Sequence, residues 1–258
     1  MHTATIKNSF RILFSLVLLA GWPSVRGNAQ TSTVTTDVKV LLEKVQQAYR
    51  QADHLSFRVS YVYANAGQPD QPTDSLKGLI QMDKDRCRVV IDNTETIVTG
   101  KYAIHIMNED KSIYLSGKNQ SSLPDLLNMT DSLLAHLQGL TVTAHQEGAY
   151  QVLTFLFPPK YMYSRISLSI DPVSGYLRQT TYALRTTELV GKDMIQSPGH
   201  AAPYQSEGLI TVYFSNYEHS RFADGLFDEH QIFTRVAGRY QPVGQYKDYH
   251  IFLASTNL

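Results

Sequence analysis

Residues 75–115 read SLKGLIQMDKDRCRVVIDNTETIVTGKYAIHIMNEDKSIYL, and this stretch decides the fold. Five β-prone runs follow one another: Ser75–Met82, Arg86–Ile91, Thr94–Thr99, Tyr102–Met107 and Ser112–Leu115. The links are Asp83-Lys84-Asp85, Asp92-Asn93, Gly100-Lys101 and Asn108–Lys111, built from turn-forming residues. A parallel return needs a crossover of roughly a dozen residues, so links this short allow only antiparallel hairpins.

Upstream, Leu55, Phe57, Val59, Tyr61 and Tyr63 alternate with Ser56, Arg58, Ser60 and Val62, the period of a strand with one buried face. Before it, Val38, Leu41, Leu42, Val45, Tyr49 and Ala52 share one arc of a helix that Thr36 or Asp37 can cap. Ala64–Asp74 is a loop. Downstream, Leu123, Leu126, Leu127, Leu133, Leu134 and Leu137 share a face of a second predicted helix, opened by Ser122 and Pro124 and ended by Gly139. Strands resume at Leu140–His145, Tyr150–Phe157, Ser164–Ile170, Tyr176–Leu184 and Gly208–Tyr217, with a long loop over Glu188–Glu207 and a last strand over Tyr246–Ala254. Strands do not alternate with helices, which excludes a doubly wound parallel sheet. The expected class is α+β: a highly curved antiparallel sheet, an incomplete β-barrel, wrapped around two main helices.

Residues 1–29 differ from the rest. Lys7 and Arg11 precede the apolar run Ile12–Ala20, and Gly27-Asn28-Ala29 offers small residues for cleavage, the layout of a secretory signal peptide. The run is shorter than the roughly 20 residues of a permanent span, so no stable membrane insertion is expected. Residues 30–36 form a polar flexible leader and residues 37–258 a single domain. The 258 residues carry 23 Lys and Arg against 23 Asp and Glu; loss of Lys7, Arg11 and Arg26 leaves 20 against 23, a net charge of −3. A mildly acidic chain does not suit nucleic acid. Cys87 stands alone, so no internal disulfide can form, and it reads as a small buried strand residue. The expected location is the periplasm or outside the cell.

Reaction-bearing spacings are missing: no G-x-S-x-G, H-E-x-x-H, glycine-rich phosphate loop or C-x-x-C. His219 with Asp228, Glu229 and His230 is the densest metal candidate and reads better as a solvated strand edge. Asp83 and Asp85 read as a polar turn rather than an acid–base pair. No catalytic residue, metal or cofactor is expected, and no enzymatic activity. Tyrosine is the unusual count, 16, and Tyr161, Tyr163, Tyr240, Tyr246 and Tyr249 either decorate the sheet or face a partner.

The order of a long amphipathic helix, an alternating strand, then Gly78-Leu79-Ile80-Gln81-Met82, Arg88-Val89-Val90-Ile91, Ile97-Val98-Thr99-Gly100-Lys101 and Ser112-Ile113-Tyr114-Leu115 resembles the periplasmic lipoprotein-carrier (LolA-like) family. The leucine-rich helix and the Ile166–Gln179 hairpin are similar to that family's second half, so the resemblance spans roughly Val38–Phe227. It implies a half-barrel lidded by helices whose apolar cavity shelters acyl chains, which cost about 0.8 kcal/mol per CH₂ to expose. Lys84 stands where the family has a functional arginine. The implied function is a non-enzymatic carrier of a lipid, of lipoprotein acyl chains or of another apolar ligand. The alternative is an accessory component of an envelope complex that uses the fold for protein contacts. Alternation and helix faces select Phe57, Val59, Tyr61, Ile80, Met82, Val89, Ile91, Ile104, Ile106, Leu126 and Leu133 as cavity lining. The implied partners are a lipid or acylated lipoprotein and envelope proteins.

Overall fold

The computed structural model describes residues 36–118, 130, 132–133, 140–159, 161–186 and 205–254. The chain starts with helix α1 (Thr36–Arg50), followed by β1 (Leu55–Asn65), β2 (Pro72–Asp83), β3 (Arg86–Ile91), β4 (Thr94–Val98), β5 (Tyr102–Met107) and β6 (Ser112–Gly117). Then come β7 (Thr141–Glu147), β8 (Tyr150–Leu156), β9 (Tyr163–Ile170), β10 (Leu177–Arg185) and β11 (Glu207–Glu218). The end of the chain adds β12 (Phe233–Val236), β13 (Arg239–Pro242) and β14 (His250–Leu253), with 3-10 turns at Glu229–Gln231 and Gly244–Tyr246. Twelve strands form one open sheet in the order β14-β6-β5-β4-β3-β2-β1-β11-β10-β9-β8-β7, and β12 pairs with β13 in a separate ribbon.

The meander read from residues 75–115 is present as antiparallel pairs from β2 through β6. Three features differ from the expectation. The terminal strand pairs with β6 in parallel, because a long connection separates the two and frees the direction of return. The ribbon β12–β13 is additional. It turns through Ala237 and Gly238 at φ +50° and +80°, and alanine at such an angle is a weak sequence signal for a turn. One main helix is supported, not two: of the leucine-rich stretch Leu123–Leu137, only Thr130, Ser132 and Leu133 are described, all helical, and the remainder lies outside the described residues.

Contacts divide the described residues into two compact units. The first takes its residues from Met1–Ala48, Ser60–Leu76 and Met129–Phe214, the second from Tyr49–Val59, Lys77–Asn128 and Ser215–Leu258.

In the first unit, α1 buries Val38, Leu42 and Val45 and leaves Asp37, Lys39, Val40 and Gln47 exposed. Its C-terminal half lies on the β9–β10 turn, where Lys44 donates to the Pro172 carbonyl. Gly175 sits there at φ +80°, and a Cβ would come 3.0 Å from the Lys44 carbonyl oxygen, so the close approach requires glycine. Asp171 closes the turn by accepting from the Val173 N–H at 2.9 Å and the Ser174 hydroxyl at 2.8 Å. These donors hold its carboxyl below the usual carboxylate range.

Tyr63 is buried in the same unit against Gly208, and its hydroxyl lies 3.0 Å from Thr186 Oγ1. Burial raises the phenol above its ordinary value while the bond to Thr186 opposes the shift. A Cβ on Gly208 would stand 2.5 Å from the Tyr63 oxygen and 2.6 Å from its ring. Gly208→Ala is therefore expected to lower the unfolding free energy by about 1–3 kcal/mol through overpacking, read from the urea midpoint. An unchanged midpoint would show that Tyr63 can swing away.

Candidate functional site

The register of the second unit sorts its strand residues into two faces. Partners opposite one another in an antiparallel pair point to the same side. One row runs Met82, Cys87, Val98, Ala103; the next runs Ile80, Val89, Thr96, His105; a third runs Gly78, Ile91, Thr94, Met107. We call this the first face. The opposite face carries the rows Gln81, Arg88, Ile97, Ile104, Leu115 and Leu79, Val90, Glu95, Ile106, Ile113.

The two faces are finished differently. On the opposite face, Ile97, Ile104, Ile106, Ile113 and Leu115 form one buried cluster with Ile232, Phe233 and Tyr246 from the end of the chain. Arg88 and Glu95 pair there at 2.6 Å, with Arg88 also donating to Gln81 at 3.0 Å. Burial, and then the Glu95 carboxylate, hold the Tyr246 phenol above its ordinary value. On β4, β5 and β6 this face is a filled core, while Leu79 and Val90 on β2 and β3 are half-buried at its margin.

On the first face, Ile80, Met82, Cys87, Val98 and Ala103 are buried, whereas Val89, Ile91 and Met107 are half-buried. Gly78 lets β2 close on its neighbours, since a Cβ there would stand 3.0 Å from Val59 Cγ2 and 2.5 Å from the Val90 carbonyl oxygen. Polar groups are few. His105 lies 3.0 Å from Thr96 Oγ1, and burial pulls its imidazole below the ordinary value, so it is neutral at neutral pH. Burial pushes the Cys87 thiol up to about 12, which makes it unreactive.

The residues selected from the sequence therefore do not all meet. Ile80, Met82, Val89 and Ile91 share the first face, and Val59 adjoins it at Gly78. Ile104 and Ile106 point to the opposite side, into the filled core. Alternation assigned them because Ile104 and Ile106 are larger apolar groups than Ala103 and His105. Phe57 is enclosed by Tyr49, edge-to-face at 5.7 Å, and by Tyr217, stacked at 5.2 Å. Tyr61 is half-buried and Leu133 buried, both in the first unit; Leu126 lies outside the described residues.

A cavity of about 640 Å³ stands at the end of the second unit where the β2–β3 and β4–β5 turns emerge. Its walls are His54, Asp83, Lys84, Arg86, Thr99, Gly100 and the loop Arg221–Glu229. Arg86 pairs with Asp83 and lies 5.0 Å over the Phe227 ring. His54 meets Phe222 edge-to-face, with its Nδ1 3.7 Å from Asp83 Oδ1, beyond hydrogen-bond reach. Lys84 is exposed at φ +56° on the turn. Sequence reading missed this cavity. Two phenylalanines, Phe222 and Phe227, in an otherwise polar loop were the available signal for a packed loop.

The weaker candidates have structural roles. Asp83 is paired with Arg86, and Lys118 bonds Asp85 at 2.6 Å and holds its carboxyl below the ordinary range. Asp228 caps the turn at Glu229–Gln231 and accepts from His230. Among the described residues, no group of three or more His, Cys, Asp or Glu is placed to hold a metal, and no helix is long and apolar enough to cross a membrane. Tyr246 is buried against Tyr249 at 5.3 Å, and Tyr240 packs on Tyr102 and Phe233.

The described residues thus make an open, largely antiparallel sheet with one main helix, an α+β fold. The structure is similar to an uncharacterized conserved protein of Thermus thermophilus, at 8% identity over 84% of this chain and 99% of the other, with a TM-score of 0.46. It is also similar to a LolA superfamily protein of Nitrosomonas europaea, at 11% identity over 74% and 97% of the two chains, TM-score 0.35. A third is a chain of the Pseudomonas aeruginosa MucA/MucB complex, of which this chain spans 64%, at 14% identity over 81% of its own length and a TM-score of 0.43. No family model and no curated protein matches the sequence.

Proposed function

We propose that the chain is exported by cleavage of residues 1–29 and acts as a non-enzymatic carrier or binding protein for an apolar ligand, such as a lipid or the acyl chains of a lipoprotein. The observation that carries this reading is the contrast between the two faces. On one, Ile97, Ile104, Ile106, Ile113 and Leu115 are covered by the chain's own Ile232, Phe233 and Tyr246, with Leu79 and Val90 half-buried at the margin, while the other keeps Val89, Ile91 and Met107 half-buried beside Ile80 and Met82. An acyl chain laid on that face loses water-exposed CH₂ groups at about 0.8 kcal/mol each and meets few polar atoms. Ile80, Met82, Val59, Val89 and Ile91 are the lining residues this reading selects.

Native mass spectrometry of protein purified from its host without detergent is expected to show bound lipid, and a fluorescent fatty acid is expected to bind. Val89→Asp should weaken the probe by about tenfold or more, because an unpaired carboxylate against an acyl chain costs more than about 1.4 kcal/mol. Absence of both lipid and probe binding would sink the proposal.

A second reading, an accessory component that contacts envelope proteins, is favoured by β14, an edge strand of the sheet among the described residues. Tyr114 and Phe252 stack there at 5.3 Å while 42% and 48% exposed, and Leu253 is 56% exposed. Phe252→Asp should then abolish co-purification of a partner without changing the fatty-acid probe.

A further inference from the structure

We propose that Lys101 and Arg235, held over the rings of Tyr102 and Tyr240, form a site for a phosphate group. The β12–β13 register sets Arg235 opposite Tyr240, and the Arg235 guanidinium carbon lies 5.1 Å over the Tyr240 ring. Lys101 Nζ lies 4.8 Å over the Tyr102 ring, and the two rings meet edge-to-face at 6.3 Å. Phe233 packs against both, at 5.4 Å from each, so the phenols stand on a buried aromatic base while both cations are exposed.

Two positive groups are thereby held beside one pair of phenols. The phenols are affected: burial raises Tyr102, but its bond with Lys101 and the charges of Lys101 and Arg235 bring it below its ordinary value. The bond with the Tyr102 hydroxyl holds the Lys101 ammonium above its ordinary value, and the Arg235 charge opposes that shift. Among the described residues, no carboxylate pairs with either cation, whereas Arg86, Arg88 and Lys118 of the same unit are each paired. Like charges held together without a counter-ion are destabilising, and an anion placed between them removes that penalty. Phosphate suits the geometry: it offers several acceptor oxygens, the guanidinium presents a planar fork and the ammonium a point charge, while the aromatic rings beneath hold the two cations in place.

The phosphate could belong to a lipid headgroup or be free in solution, and two measurements on the full mature chain separate these sources. The first is flotation with phosphatidylglycerol against phosphatidylcholine vesicles, at low and high salt. The second is ultraviolet titration of tyrosine with inorganic phosphate or with chloride at matched ionic strength. Binding to the headgroup predicts roughly tenfold or more preference for phosphatidylglycerol, weakened by salt. Binding of free phosphate predicts a rise in the lowest tyrosine ionisation that chloride does not reproduce, because a nearby anion disfavours phenolate. In either case the effect should disappear in Lys101→Gln/Arg235→Gln and persist in Arg239→Gln, a cation on the other side of the same hairpin. Both cations are exposed, and an unchanged far-ultraviolet spectrum checks folding; should the double variant not fold, Arg235→Gln alone must lower the effect. Equal vesicle binding with no phosphate-specific shift, or retention of either effect in the folded double variant, overturns the site.

Discussion

Replacing Phe57 by Ala is expected to lower the unfolding free energy by about 3–5 kcal/mol, the range for deleting a buried aromatic ring. Phe57 is fully buried, stacked on Tyr217 at 5.2 Å and edge-to-face with Tyr49 at 5.7 Å, and the two tyrosine hydroxyls meet at 2.6 Å beside it. Truncation would leave a void that neither ring can fill without breaking that bond. The urea midpoint measures the loss, and Phe57→Leu should retain a large part of the stability. A change below about 1 kcal/mol would mean that the ring is not packed in solution. The substitution also separates two roles. As a ligand-lining residue Phe57 would lose probe affinity with little loss of stability, whereas a core residue loses stability first.

The second large effect is expected at Gly78. Its missing Cβ is the reason β2 and β3 approach as they do: a Cβ would stand 2.5 Å from the Val90 carbonyl oxygen and 3.0 Å from both Ile91 Cγ1 and Val59 Cγ2. The nearest atom is backbone, so the clash cannot be relieved by a rotamer change. Gly78→Ala should cost about 1–3 kcal/mol, and Gly78→Val more. Amide exchange should accelerate first along the Gly78–Asp83 and Arg86–Ile91 ladder, since those are the bonds that must lengthen. Unaltered exchange on that ladder with an unaltered midpoint would contradict the close approach.

Much of the strand order was legible because it rests on short-range chemistry. Asp83-Lys84-Asp85 and Asp92-Asn93 are turns by composition, and Lys84 and Asp92 take φ +56° and +46° there. Which face does what was not legible. β3 presents Val89, Val90 and Ile91 in succession, and β4 presents Ile97 beside Val98, so apolar groups lie on both sides and alternation carries no direction. The choice is made by Ile232, Phe233 and Tyr246, which cover Ile104 and Ile106 from the far end of the chain. No local pattern announces such a cover. The tyrosines of the tail were ambiguous for the same reason: Tyr246 and Tyr240 offer apolar rings with a polar tip, which suits a core margin as well as a partner surface.

The parallel docking of β14 on β6 has a consequence for how the protein is made. Synthesis delivers the chain from its N-terminus, so β2 through β6 can pair as hairpins while the segment that seals Ile104, Ile106 and Ile113 is still to come. Until residues 232–253 arrive, that sheet carries an uncovered apolar surface and an unpaired edge, the two features that promote aggregation of folding intermediates. A premature stop anywhere before Ile232 would therefore leave Ile104, Ile106 and Ile113 without their cover, a half-sealed sheet rather than a smaller working protein.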